Sequence, residues 1–215
     1  MRQVNVSIDG CAMKIHPDIS KSALLIFVVA LFLVPDVSHG ISNPEYVRDY
    51  FDHDDEPLAA GQLDMIDNAH TRKAIRWIRE GRYRDAIADL HFVLIRWPNH
   101  PKALMILMSV SSLSGSPMLP RAYFEKALSL YPQHAITHAQ YGKFLVEVGE
   151  TDAGITKLKY AVEKDPSLTA GYVWLAEAYA KKGDRVRAGE AAKRAKELGY
   201  RGDLSEELGP SASRP

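Results

Sequence analysis

Proline and glycine recur together along this chain at one fixed spacing. Pro98, Pro132 and Pro166 stand 34 residues apart, and so do Gly81, Gly115, Gly149 and Gly183. Two residue types keeping one period at a constant offset define an internal repeat, and a repeat of this length limits the fold before any single residue does. Each glycine follows an amphipathic helical run and precedes a polar pair, where a helix ends on a residue of positive φ, which glycine adopts without a Cβ clash. Each proline follows the second run of its period; it cannot continue that helix, but it can begin the next. The period therefore reads helix, tight turn, helix, short loop.

The marks within each period resemble those of the tetratricopeptide-repeat (TPR) family over roughly residues 67–202, in four periods near 67–100, 101–134, 135–168 and 169–202. Gly81, Tyr83, Ala86, Leu90 and Pro98 fit the family's pattern in the first. Leu104, Leu107, Gly115, Phe124, Ala127 and Pro132 do so in the second. Tyr141, Gly142, Gly149, Leu158, Ala161 and Pro166 mark the third, and Leu175, Ala176, Tyr179, Gly183, Ala188 and Ala195 the fourth. The resemblance implies an all-α, right-handed superhelix of four helix-turn-helix repeats with a concave groove, in which stacked neighbours build one continuous core. Trp77, Tyr83, Leu90, Leu107, Phe124, Tyr141, Leu158, Leu175 and Tyr179 are expected in that core. The second period departs from the pattern at Ser116-Pro117-Met118-Leu119-Pro120, so its second helix is expected to start late, with proline in the first turn. Gly154 stands where alanine is usual. The fourth period lacks the closing proline, and its last helix should stop at Gly199.

In this family the first helix of each pair lines the concave face. The positions so implied are Thr71, Ile75 and Ile78; Lys102, Met105, Ser109 and Leu113; Ile136, Lys143 and Val146; and Val173, Glu177 and Lys181. Members that grip a partner's terminal carboxylates carry Lys, Asn and Arg at set groove positions. Here those positions read Thr71, Ile75, Met105 and Ser109, so that clamp is missing. An inner face bearing Ile, Met, Leu and Val suits an apolar helix or an extended segment, and the alternative is that several of these side chains simply pack the core.

Outside the array at 63–202 the chain carries three segments. Residues 23–34 are twelve apolar residues in a row, preceded by Lys14 and Lys21 and followed by Pro35 and Ser38-His39-Gly40. As a helix the run reaches about 18 Å, short of a bilayer span, so 1–40 reads as a signal peptide cleaved after Gly40, with Met13 a candidate for the true start. The expected location is exported, periplasmic or secreted, with no stable membrane span after cleavage; an uncleaved N-terminal anchor is the alternative. Residues 41–62 read as an acidic, flexible leader, and 203–215 as a disordered tail. Between 45 and 67 eight acids face Arg48 alone, a net of minus seven; between 181 and 201 eight bases face three acids, a net of plus five. Such ends make self-association possible.

Little in the chain points to chemistry. The 27 basic and 27 acidic residues balance, which gives no case for nucleic-acid binding. The lone Cys11 precedes the apolar run, so no disulfide, Cys-based zinc site or thiol nucleophile is expected in the mature protein. His134 and His138 are four apart, but the intervening residues lack the glutamate of a metalloprotease helix. No catalytic set, cofactor site or metal site is expected. The function that follows is a protein–protein adaptor or scaffold of the cell envelope, not an enzyme, binding a protein or peptide segment in the groove. A non-catalytic accessory subunit of an envelope enzyme complex is the other reading.

Overall fold

The computed structural model describes residues 7–8, 11–12, 47–51 and 67–204. The chain divides into two units, Met1–Asn43 and Pro44–Pro215. In the first, Ser7–Ile8 pairs antiparallel with Cys11–Ala12. Residues 23–34 of the expected signal segment and 205–215 of the expected tail lie outside the described residues.

The second unit is an array of helices. A π-helical turn, Asp67–Thr71, leads into α1 (Arg72–Arg79). It is followed by α2 (Tyr83–Arg96), α3 (Pro101–Leu113), α4 (Pro120–Leu130), α5 (Ala135–Glu147), α6 (Thr151–Lys164), α7 (Thr169–Lys181) and α8 (Arg185–Glu197). The first helix of every pair ends in the same way. Gly81, Gly115, Gly149 and Gly183 have φ of 72°, 73°, 94° and 83°. After α1, Gly81 N donates to Ile78 O at 3.1 Å and Arg82 N to Trp77 O at 2.8 Å. These two bonds are the Schellman closure, which satisfies carbonyls that the helix itself leaves unpaired. Ser116, Glu150 and Asp184 repeat the long bond to Ser111, Leu145 and Tyr179. The final helix stops in the same way, at Gly199, with φ 93° and Tyr200 N bonded to Ala195 O. As expected, α4 starts late: Pro120 is its first residue, where the missing N–H leaves no helical bond unmade.

The core runs through the array as two adjoining clusters, both drawing on α5. Tyr141, Phe144 and Leu145 join the cluster of Leu90, Trp97, Leu107 and Phe124, while Ala139 and Val146 join that of Leu158, Val173, Leu175 and Ala188. Seven of the nine expected core residues are buried; Trp77 and Tyr83 are half-buried against the first cluster. The Trp77 indole N–H reaches Asp89 at 2.9 Å, which a partly wet position allows. Among the described residues no helix is long and apolar enough to cross a membrane.

Candidate functional site

The 34-residue period puts seven of the thirteen implied groove positions on two stripes. Thr71, Met105, Ala139 and Val173 occupy one register position in successive pairs. Three of them are buried, Thr71 with no exposed surface at all, and only Met105 is half-exposed. Val146 is buried as well. Thr71, Val146 and Val173 are therefore taken up in packing, Val146 against Gly154 of its own pair, and offer a partner little or no surface, which corrects the apolar face expected of them. The stripe one turn along is Ile75, Ser109, Lys143 and Glu177, and all four keep exposed surface. Position within the turn separates the two stripes: side chains one turn apart on a helix share a face, and here only the edge of that face clears the neighbouring pair.

The open stripe changes character along the array. On α1 and α3 it is apolar: Ile75, Ile78 and Met105 are half-buried, and Leu113 is 56% exposed. Lys102 and Ser109 are exposed, and the Ser109 hydroxyl is turned back to Met105 O at 3.3 Å. On α5 and α7 it is ionic. Lys143 Nζ lies 2.9 Å from Glu147 and 3.8 Å from Glu177, and 5.9 Å from the Trp174 ring. The Lys181 ammonium donates to the carbonyl of Val146, and Ile136 is half-buried. Half-buried Trp174, on the α7 face shared with Glu177 and Lys181, was missed; a tryptophan on a first helix at a position that no family mark explains was the available signal.

Five residues of the leader, read as flexible throughout, are held in place instead. Arg48 N donates to Arg96 O at 2.9 Å. The buried side chain of Asn99 accepts from Tyr50 N at 2.9 Å and donates to Asp49 at 2.6 Å. The Tyr50 ring stands 4.3 Å from His100, and Phe51 stands 4.1 Å from His134. The array thus grips an extended segment along the edge formed by its α2–α3 and α4–α5 loops, through a buried amide and ring contacts that composition alone does not reveal.

His134 and His138 do not form a site together. His134 Nδ1 pairs with the Thr137 hydroxyl at 2.9 Å, and the His138 Nε2–H donates to Pro132 O at 2.9 Å. Burial holds both rings below the usual histidine range, against the pull of Asp49 on His134. Among the described residues no three His, Cys, Asp or Glu side chains group as metal ligands.

No family model matches the chain, and no curated protein does. Solved structures do. PilF of Pseudomonas aeruginosa is 20% identical with a TM-score of 0.50, over 63% of this chain and 62% of that one. This chain thus spans less than two thirds of PilF. YrrB, a TPR protein described as having an unusual peptide-binding site, is 20% identical with a TM-score of 0.46, over 66% and 73%. TTC0263 of Thermus thermophilus, a thermophilic TPR protein, is 20% identical with a TM-score of 0.48, over 62% and 74%. The fold of the second unit is the all-α TPR superhelix, and its described residues carry four helix pairs of it.

Proposed function

We propose that this protein is an adaptor that binds a segment of another protein along the inner stripe of its superhelix and catalyses no reaction itself. The observation that carries the reading is the partly exposed stripe Ile75, Ser109, Lys143 and Glu177, flanked by Met105 and Leu113 at one end and Trp174 at the other. An apolar half beside an ionic half suits an amphipathic helix or an extended segment with apolar residues toward one end. Adaptable Met105 helps such a surface fit irregular side chains. The same reading places the protein on the outer side of a membrane, supported by the two lysines and the short apolar run of residues 14–34.

Site-directed crosslinking of the full chain in its native host tests the inner stripe. A photoreactive residue at Ile75 or Leu113 should give one discrete adduct, while the same residue at Ser129 on α4 gives none. Ile75→Glu with Leu113→Glu should remove the adduct formed through Ser109 and leave helix content intact. Equal labelling at Ser129, or no adduct anywhere, sinks the proposal. N-terminal sequencing of the mature protein addresses export: a start at Ile41 supports it, and an intact 23–34 segment in membranes points to an anchor.

A further inference from the structure

The second helices of adjacent pairs leave a groove between them, and the period makes these grooves comparable. Between α2 and α4 it is crossed by His91 Nδ1 and the Tyr123 hydroxyl, 2.8 Å apart. Beside α6 the next groove is covered from one wall: the Tyr160 ring lies 4.3 Å from His138 on α5, its hydroxyl reaches Gln133 in the α4–α5 loop at 3.0 Å, and Lys157 lies 5.7 Å from the Tyr141 ring on α5. The residues one period on from Lys157 and Tyr160 are Ala191 and Arg194. Alanine spans nothing, and the arginine pairs with Glu197 of its own helix at 3.0 Å while standing 5.9 Å from the ring of Tyr172, the residue one period on from His138. Between α6 and α8 a cavity of about 460 Å³ lies over α7.

The walls of this cavity have a definite chemistry. Val162, Leu175 and Ala191 supply apolar surface, and the rings of Tyr172 and Tyr179 stand beside them. Arg187 lies 4.7 Å from the Tyr179 ring, steadied by Asp184 at 2.6 Å, and Arg194 lies 5.9 Å from the Tyr172 ring. Lys159 adds a third cation, against Glu163 and Glu190. A volume of this order holds one or two large side chains rather than a whole helix. Aromatic walls favour a ring, and cations already seated on aromatic faces pair with single carboxylates. The two glutamates among the lining residues disfavour a phosphate chain, which would bring a dense run of negative charge against them.

We propose that this open groove is a second docking site, separate from the inner stripe. It takes an extended partner-protein segment by seating an aromatic side chain between Tyr172 and Tyr179 and pairing an adjacent carboxylate with Arg187 or Arg194. The groove lies on the side of α7 away from Glu177, so both sites can be filled at once.

The probe is a fluorescein-labelled Ser-Gly-Glu-Phe-Glu-Gly-Ser peptide, followed by anisotropy on the full chain. Saturable binding that weakens with added salt is expected. Ala191→Lys with Arg194→Tyr installs the side chains that the preceding pair carries at these positions and should weaken binding about tenfold or more, a loss of about 1.4 kcal/mol, with circular dichroism unchanged. Arg187→Glu with Arg194→Glu should do the same. A peptide with serine for phenylalanine, or lysines for glutamates, should bind at least about tenfold more weakly, while Ile75→Glu with Leu113→Glu should leave binding as it was. Four results overturn the proposal: no saturation up to roughly 1 mM peptide; binding unaffected by the Ala191→Lys, Arg194→Tyr pair; tighter binding of an oligothymidylate; or a salt-sensitive dimer that Arg187→Glu with Arg194→Glu dissociates, which would give the groove to a second copy.

Discussion

The second and third helix pairs close on the same two register positions and fill them with opposite solutions. In the third pair those positions are Gly142 on α5 and Gly154 on α6. A Cβ on Gly142 would stand 2.9 Å from Gly154 O, and one on Gly154 would stand 2.7 Å from Gly142 O. The two backbones are in direct contact, and Leu158 and Val146 close over the gap at 2.7 Å and 2.5 Å from the same points. In the second pair the positions are Met108 and Pro120, both buried. There a long side chain stands where the glycines let the backbones touch, α4 begins only at the proline, and residues 114–119 connect the helices where 148–150 suffice in the third pair. The outer pairs take the middle course, Ala74 with Ala86 and Ala176 with Ala188, all nearly or fully buried. One topology thus tolerates residues from glycine to methionine at its tightest contact, provided that the facing residue and the connecting turn change with it. Close-packed interiors require such compensation, because added or lost volume is not absorbed elsewhere.

Breaking the comparison outright means putting the second pair's residue into the third. Gly142→Met drives a side chain into backbone atoms, which cannot move aside as a side chain can, and should destabilise by about 3 kcal/mol or more, read as a fall in the urea midpoint. Survival of the wild-type midpoint would mean that the α5–α6 approach is not a requirement of the fold. The reverse experiment is milder. Met108→Ala opens a cavity beside Pro120 and should cost about 2–3 kcal/mol, whereas Met108→Leu, which keeps the volume, should cost less than about 1.5 kcal/mol. Equal losses for the two substitutions would show that volume is not what Met108 supplies.

The smallest effect sharpens the comparison at the joint between the pairs, where His134 and His138 begin α5. Their folded pKa values lie below the ordinary 6.5 because burial disfavours the charged ring. The unfolded chain therefore takes up protons first as pH falls through 6.5. Stability is fully present above that value and declines below it, down through the lower folded values. The melting temperature should be lower at pH 5 than at pH 7.5, and His134→Asn with His138→Gln should flatten that dependence. His134 also faces Asp49 and Phe51, and because the Asp49 carboxylate favours the charged ring, protonation should not loosen the held leader residues.

Much of this was legible in the residues. The glycine period placed the ends of α1, α3, α5 and α7 and the proline period those of α2, α4 and α6, because a positive φ and a missing N–H are properties of single residues acting within one turn. Pro120 placed the late start of α4 for the same reason. The inner stripe was half legible. A helical face can be read from spacing, but whether Thr71 or Ile75 stays open depends on how closely the next pair approaches, and that distance is set by residues one period away.

The chain's own order of residues determined a four-pair solenoid, its turns and its small-residue contacts, since each of these is settled within one repeat or between neighbours 34 residues apart. Only the tertiary structure decided which apolar residues became surface, that Asn99 holds Tyr50 and Asp49 across the loop edge, and that a cavity lies between α6 and α8. Those outcomes turn on side-chain reach measured between helices: Tyr123 meets His91 across a groove at 2.8 Å, whereas Ala191, two periods on, is too short to reach across its own.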